Sequence, residues 1–182
     1  MLSQEKFIAG MEYMKVAFIT WQFDIQNKAQ VNIWYSVVKG LSDEAFSDLV
    51  KIYIAHNVNP PKSPREFISV LVDKVVSNEK IKPESALNYV REIVSKRGGW
   101  LYEGRQEIYS DLKRYPPLFE TVKEFEGELR NMAADDTYTA DRFRRAYEIK
   151  LRANAIRQVD TALGLTMPDE KKLLPGFLPY EQ

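Results

Sequence analysis

The stretch PPLFETVKEFEGELRNM, residues 116–132, decides the fold class. Its apolar residues Leu118, Val122, Phe125, Leu129 and Met132 recur at spacings of 4, 3, 4 and 3. That is one face of an α-helix, and acids with Lys123 and Arg130 lie on the rest of it. The run lasts only about two heptads, which suits a bundle helix better than a coiled coil. Pro116-Pro117 stands at its start, where a missing N–H costs nothing.

The same periodicity extends in both directions. Upstream, Phe7, Met11, Met14 and Phe18 form a stripe behind a Ser3 cap, and Val31, Trp34, Tyr35 and Val38 follow Asn27, with Gly40 placed to end that helix. Ser42 caps a third helix whose Asp43 and Glu44 suit its positive end, and Phe46, Leu49, Val50, Tyr53 and Ile54 supply its apolar face. Asn59-Pro60-Pro61 forces an extended break, and Ser63-Pro64-Arg65-Glu66 then reads as a capping box before Phe67, Val70, Leu71 and Val75. A fifth helix opens at Pro83 and stops at Gly98-Gly99. Downstream, a short helix is expected over Trp100–Leu112, and a last one from about Ala140 to Leu163, capped by Gly164. No strand alternation appears. The expected fold is all-α: an N-terminal bundle of about five helices over 1–98, two or three helices over 99–164, and an irregular, flexible tail over 165–182.

Composition excludes several functions. The chain has 182 residues, 45% hydrophobic and 29% charged, in the range of a globular domain. It has no cysteine and one histidine, so disulfide frameworks, thiolate metal sites and cysteine nucleophiles are absent. His56, near the end of the third helix, suits the helix dipole there. Neither GxxxxGK[ST] nor GxGxxG occurs; the Asp43-Glu44 pair sits at a helix start and Asp135-Asp136 in a polar break over 135–139, where capping and dipole roles account for them. No catalytic residue, metal ligand or cofactor is therefore expected, nor a small-molecule substrate. No run reaches ~18 apolar residues and no signal-peptide pattern is present, so the expected location is the cytoplasm, without membrane contact.

Three features are left for function. Lys and Arg balance Asp and Glu at 26 each, yet Asp141–Gln158 holds six basic residues (Arg142, Arg144, Arg145, Lys150, Arg152 and Arg157) against two acids. Such a face suits phosphates or an acidic protein surface, or else a solvated face paired to Glu124 and Glu128. Leu173, Leu174, Phe177, Leu178 and Tyr180 are apolar anchors in a proline-rich tail. Trp21, Phe23, Trp34 and Tyr35 read as core, with Trp21 and Phe23, in an inter-helix loop, as alternative interaction anchors.

The segments IWYSVVKGL (33–41), SDEAFSDLVKIYIAHN (42–57) and NPPKSPREFI (59–68) follow one another in a suggestive order. The chain resembles the N-terminal helical domain of small replicative-helicase loader and inhibitor proteins of phages of Gram-positive bacteria, through Trp34, Pro60, Pro61, Ser63 and Ile68. ALNYVREIVSKRGG (86–99) and RFRRAYEIKLR (142–152) resemble further modules of related phage replication proteins. The C-terminal half is longer than in that loader type. The resemblance implies a protein without its own ATPase that binds a hexameric replicative helicase, holds it inactive and delivers it to an origin-bound initiator. Carried onto this chain, it places the helicase-facing residues among Arg144, Arg145, Arg152, Arg157, Phe177 and Tyr180, and the initiator-facing ones among Trp21, Phe23 and Trp34. Two alternatives stand beside it: a DNA-binding replication protein using the basic last helix, in which DNA contact is local and weak, and a helical phage connector whose 118–132 seam builds a ring.

Overall fold

A computed structural model describes residues 1–100, 102–133 and 136–165. The chain is all-α. Among the described residues there are eight helices and no strand: α1 (Gln4–Ala17), α2 (Lys28–Val38), α3 (Asp43–His56), α4 (Pro64–Ser77), α5 (Pro83–Lys96), α6 (Tyr102–Leu112), α7 (Pro116–Asn131) and α8 (Thr137–Leu163). They fall into two compact units, the first made of residues 1–71 with the chain from Arg157 onward, the second of Val72–Ile156. Gly98-Gly99, expected as a domain boundary, stops α5 inside the second unit. The expected C-terminal tail, Leu165 apart, lies outside the described residues.

The caps are those the sequence indicates. Ser3, Asn27 and Ser42 accept from backbone N–H groups in the first turns of α1, α2 and α3. Before α4, Ser63 Oγ accepts from Glu66 N–H at 3.2 Å, and the Glu66 carboxylate accepts from Lys62 N–H at 2.9 Å, one residue earlier than a reciprocal capping box would place it. The start of α8 comes three residues before the expected Ala140, because Asp136 accepts from Thr139 N–H at 3.0 Å and so caps an extra turn. The first turn of α6 likewise starts at Tyr102 rather than Trp100. Gly164 ends α8 with φ +69°, and Leu165 N–H bonds Asp160 C=O at 2.7 Å, closing a Schellman turn.

In the first unit, α1 and α3 run side by side in the same direction. Ser3 N–H bonds Asp43 Oδ1 at 2.7 Å at one end, and the Phe18 and Tyr53 rings lie 6.0 Å apart at the other. Aromatic rings fill the space between helices. Phe67, fully buried, meets Trp34 at 6.2 Å, Phe46 at 6.2 Å and Tyr53 at 5.4 Å. Burial, with the Glu66 carboxylate adding to it, pushes the Tyr53 hydroxyl up to about 12. Arg65 reaches Asp160 with both Nη atoms, tying α4 to the end of α8.

Gly40 does not end α2 through an unusual backbone angle; α2 stops at Val38 with Lys39 still helical. Its need is steric. A Cβ at Gly40 would stand 2.6 Å from the Leu163 carbonyl oxygen.

In the second unit, Ile81, Ala86, Val90, Ile93, Ile108, Leu112, Leu118, Val122, Phe125, Phe143, Tyr147 and Leu151 form one core. The 118–132 seam packs inward here, with Leu129 partly buried against the same cluster. Tyr147 donates to Ile81 C=O at 2.9 Å, and burial, then Glu79 and Tyr115, raise its hydroxyl well above the ordinary tyrosine range. Between α6 and α7, Glu126 accepts from Arg105 at 2.8 Å, from Tyr109 and from Arg130. Burial alone raises this carboxyl, but the three hydrogen bonds together outweigh it and hold it below its ordinary value.

A depressed carboxylate contributes stability that is complete above its unfolded pKa and lost as pH falls through the folded one. Thermal melts from neutral pH down to about pH 3 will therefore show a steeper loss for the wild type than for Glu126→Gln, which cannot titrate. Equal pH slopes would remove Glu126 from the account. In urea titrations Gly40→Val will cost about 1–3 kcal/mol through the clash with Leu163. Gly127→Ala, on an exposed stretch of α7 with nothing within 4 Å of the new Cβ, will gain about 0.5–1 kcal/mol.

Candidate partner-binding surface

The inward face of α8 is apolar: Phe143, Tyr147, Leu151, Ala155 and Val159 are all buried. Its opposite face within the second unit is marked by Tyr138, Arg142, Arg145, Ile149 and Arg152, spaced 4, 3, 4 and 3. A 3.6-residue turn puts these five on one stripe. Tyr138 is 72% exposed and Ile149 69%, two of the eight large apolar side chains that stand exposed among the described residues.

Most of the basic charge on α8 is already spoken for. Arg142 bonds Glu128 at 2.9 Å, and its guanidinium carbon lies 5.4 Å from the Phe125 ring centroid and 5.6 Å from that of Tyr138. Lys150 pairs with Glu124 at 2.7 Å, Arg152 with Asp73 at 3.0 Å, and Arg144 with Asp141 at 3.3 Å. The pairing with Glu124 and Glu128 is the one open to the sequence, in which an acidic run precedes a basic one. Arg145 and Arg157 are exposed and have no carboxylate within 4.0 Å among the described residues. Arg145 belongs to the second unit and Arg157 to the first, so they form no single cluster within either.

The remaining candidate residues divide plainly. Phe23 and Trp34 are buried at 1% and 6% exposure and pack edge-on at 5.6 Å, so they are core. Trp21 is half-buried; it stacks on Phe23 at 4.9 Å and donates its indole N–H to Pro61 C=O at 3.1 Å. Phe177 and Tyr180 lie outside the described residues. Asp43 and Glu44 occupy the first turn of α3, and His56 its last, as dipole arguments require. No group of three or more His, Asp or Glu side chains able to hold a metal occurs among the described residues, and no described helix is long and apolar enough to cross a membrane.

Sequence reasoning missed Tyr138 and Ile149. The signal was present in the spacing, but attention to arginines alone passed over the apolar members of the same stripe.

The face is thus chemically mixed: one tyrosine with an arginine beside its ring, one isoleucine, one arginine with no carboxylate within 4.0 Å among the described residues, and paired charges around them. Tyr and Arg are the residue types that concentrate binding energy at protein interfaces. The chain matches no known protein family, no curated protein and no solved structure.

Proposed function

We propose that this protein is an accessory factor of phage DNA replication that binds a hexameric replicative helicase in the host cytoplasm, holds it inactive and delivers it to an origin-bound initiator, without an ATPase of its own. The observation that carries the proposal is the outward stripe of α8, where Tyr138 and Ile149 stand exposed beside Arg145. The resemblance of residues 33–68 to loader proteins, and of 86–99 and 142–152 to related phage replication proteins, supplies the class of partner. On this proposal Arg145 and its stripe face the helicase, Arg144 and Arg152 keep the stripe in register through Asp141 and Asp73, and Arg157, Phe177 and Tyr180 extend the contact. The initiator meets the exposed edge of Trp21, since Phe23 and Trp34 have almost no surface to offer.

The DNA-binding alternative is weakened by charge cancellation. A phosphate ligand would have to displace Glu124, Glu128 or Asp73 from three of the basic side chains. The connector alternative loses its seam, because Leu118, Val122 and Phe125 are buried in the second unit.

Pull-down of a Gram-positive replicative helicase with ATP tests the proposal. The double variant Arg145→Glu/Ile149→Asp changes exposed positions only and will keep the wild-type helical circular dichroism while weakening retention about tenfold or more. Undiminished retention, or no complex in any nucleotide state, would refute it. On single- or double-stranded DNA, gel shifts at low salt will be weak; tight binding with a steep salt slope would favour the DNA-binding alternative instead.

A further inference from the structure

The first unit contains a trough between α1 and α3. Ala9, Gly10, Tyr13, Phe46, Ser47 and Val50 line it, with Lys6, Asp43 and Lys51 on the rim. It exists because α1 approaches α3 at a glycine: a Cβ at Gly10 would lie 2.5 Å from Phe46 Cε1. Phe46 and Val50 form its floor, already buried at 1% and 2% exposure, and Tyr13, 57% exposed, stands at its edge. The space is about 230 Å³, below the ~300–1,000 Å³ typical of small-molecule sites. It suits one or two apolar side chains of an extended peptide.

We propose that the trough receives the chain's own segment Leu173–Tyr180. Three observations select this occupant. The first is where α8 delivers the chain. The Leu163 carbonyl packs against Gly40, three residues before Asp43 at the rim, so Leu165 leaves α8 beside the Asp43 end of the trough. The second is length. The trough follows Asp43–Lys51, about 12 Å of helix at 1.5 Å per residue. Eight residues from Leu165 to Leu173 span up to about 26 Å when extended, so the anchors reach every part of it.

The third is chemistry. Leu173, Leu174, Phe177, Leu178 and Tyr180 are apolar, and Pro175 and Pro179 favour an extended backbone before each of them. Acids stand on both sides of this run, Asp169 and Glu170 before it and Glu181 after it. The trough has a lysine towards each end. Lys6 has no carboxylate within 4.0 Å among the described residues, and Lys51 has only Asp48 at 3.8 Å on an exposed surface. A segment entering from the Asp43 end would set Asp169 and Glu170 beside Lys6, with Leu173 and Leu174 the first anchors to reach the trough. Tethering raises the local concentration of such a segment to the millimolar range, so modest contacts suffice. One consequence rests on the proposed function: anchors seated in the trough are withheld from a helicase until it displaces them. The docking itself does not depend on that function.

The absence of cysteine makes the test direct. Gln182→Cys, introduced into the full chain and carrying a nitroxide, will broaden the amide signals of Ala9, Gly10, Tyr13 and Ser47 to about half intensity or less. The broadening will be relieved by Ala9→Arg, which fills the trough from an exposed position, and by Leu174→Ser/Phe177→Ser, which leaves all eight helices untouched. Broadening spread evenly over the surface, or centred elsewhere, would overturn the proposal. Trough broadening of an isotope-labelled chain by a separate nitroxide-labelled copy would overturn it too, assigning the trough to a second molecule. Because no helicase enters this experiment, its failure and that of the pull-down remain separate.

Discussion

Phe67 is the point on which the first unit depends. Its ring touches aromatic side chains from α2 and α3 at once, through Trp34, Phe46 and Tyr53, and is fully buried. Each edge or tilted contact adds about 0.5–1.5 kcal/mol beyond area burial. The larger effect is geometric. One ring from α4 fixes the spacing of two other helices, and Phe46, held from that side, is then pressed against α1 at Gly10. A smaller residue at 67 would leave a cavity bordered by three rings, with no flexible side chain there to close it.

The second unit is organised differently. Its core is mainly aliphatic, and its helices are tied at their rims by charge. Arg97 bridges Glu107 and Asp111, Glu126 gathers Arg105, Tyr109 and Arg130, and α8 exchanges ion pairs with Glu124 and Glu128 on α7. Exposed pairs of this kind contribute little each. Their joint effect is to neutralise most of the basic charge of α8 while keeping arginine on its surface.

Helix existence and most boundaries were legible because an apolar stripe was paired with a side-chain cap at α1 to α4 and with an N-terminal proline at α5 and α7. Ser3, Asn27, Ser42 and Gly164 all act where their chemistry places them. The start of α8 was missed because Asp136, grouped with Asp135 as a polar break, is itself the cap. The two-unit division was not legible from glycine spacing. A diglycine ends a helix equally well inside a unit or between units, and long-range contacts decide which; here Gly104 is drawn so close that a Cβ would lie 2.5 Å from the Gly99 carbonyl oxygen. The candidate site was half legible. The ion pairs to Glu124 and Glu128 follow from charge blocks, whereas the exposure of Tyr138 and Ile149 depends on which face of α8 the core takes.

Arg142 illustrates how unequal two neighbouring cations are. Its planar guanidinium lies over both Phe125 and Tyr138 while also binding Glu128. Lysine would keep the charge but lose the flat, forked surface. At position 150, where the ammonium meets only Glu124, arginine would serve as well. A change between the two basic residues is thus more costly at 142, where the guanidinium faces two rings, than at 150.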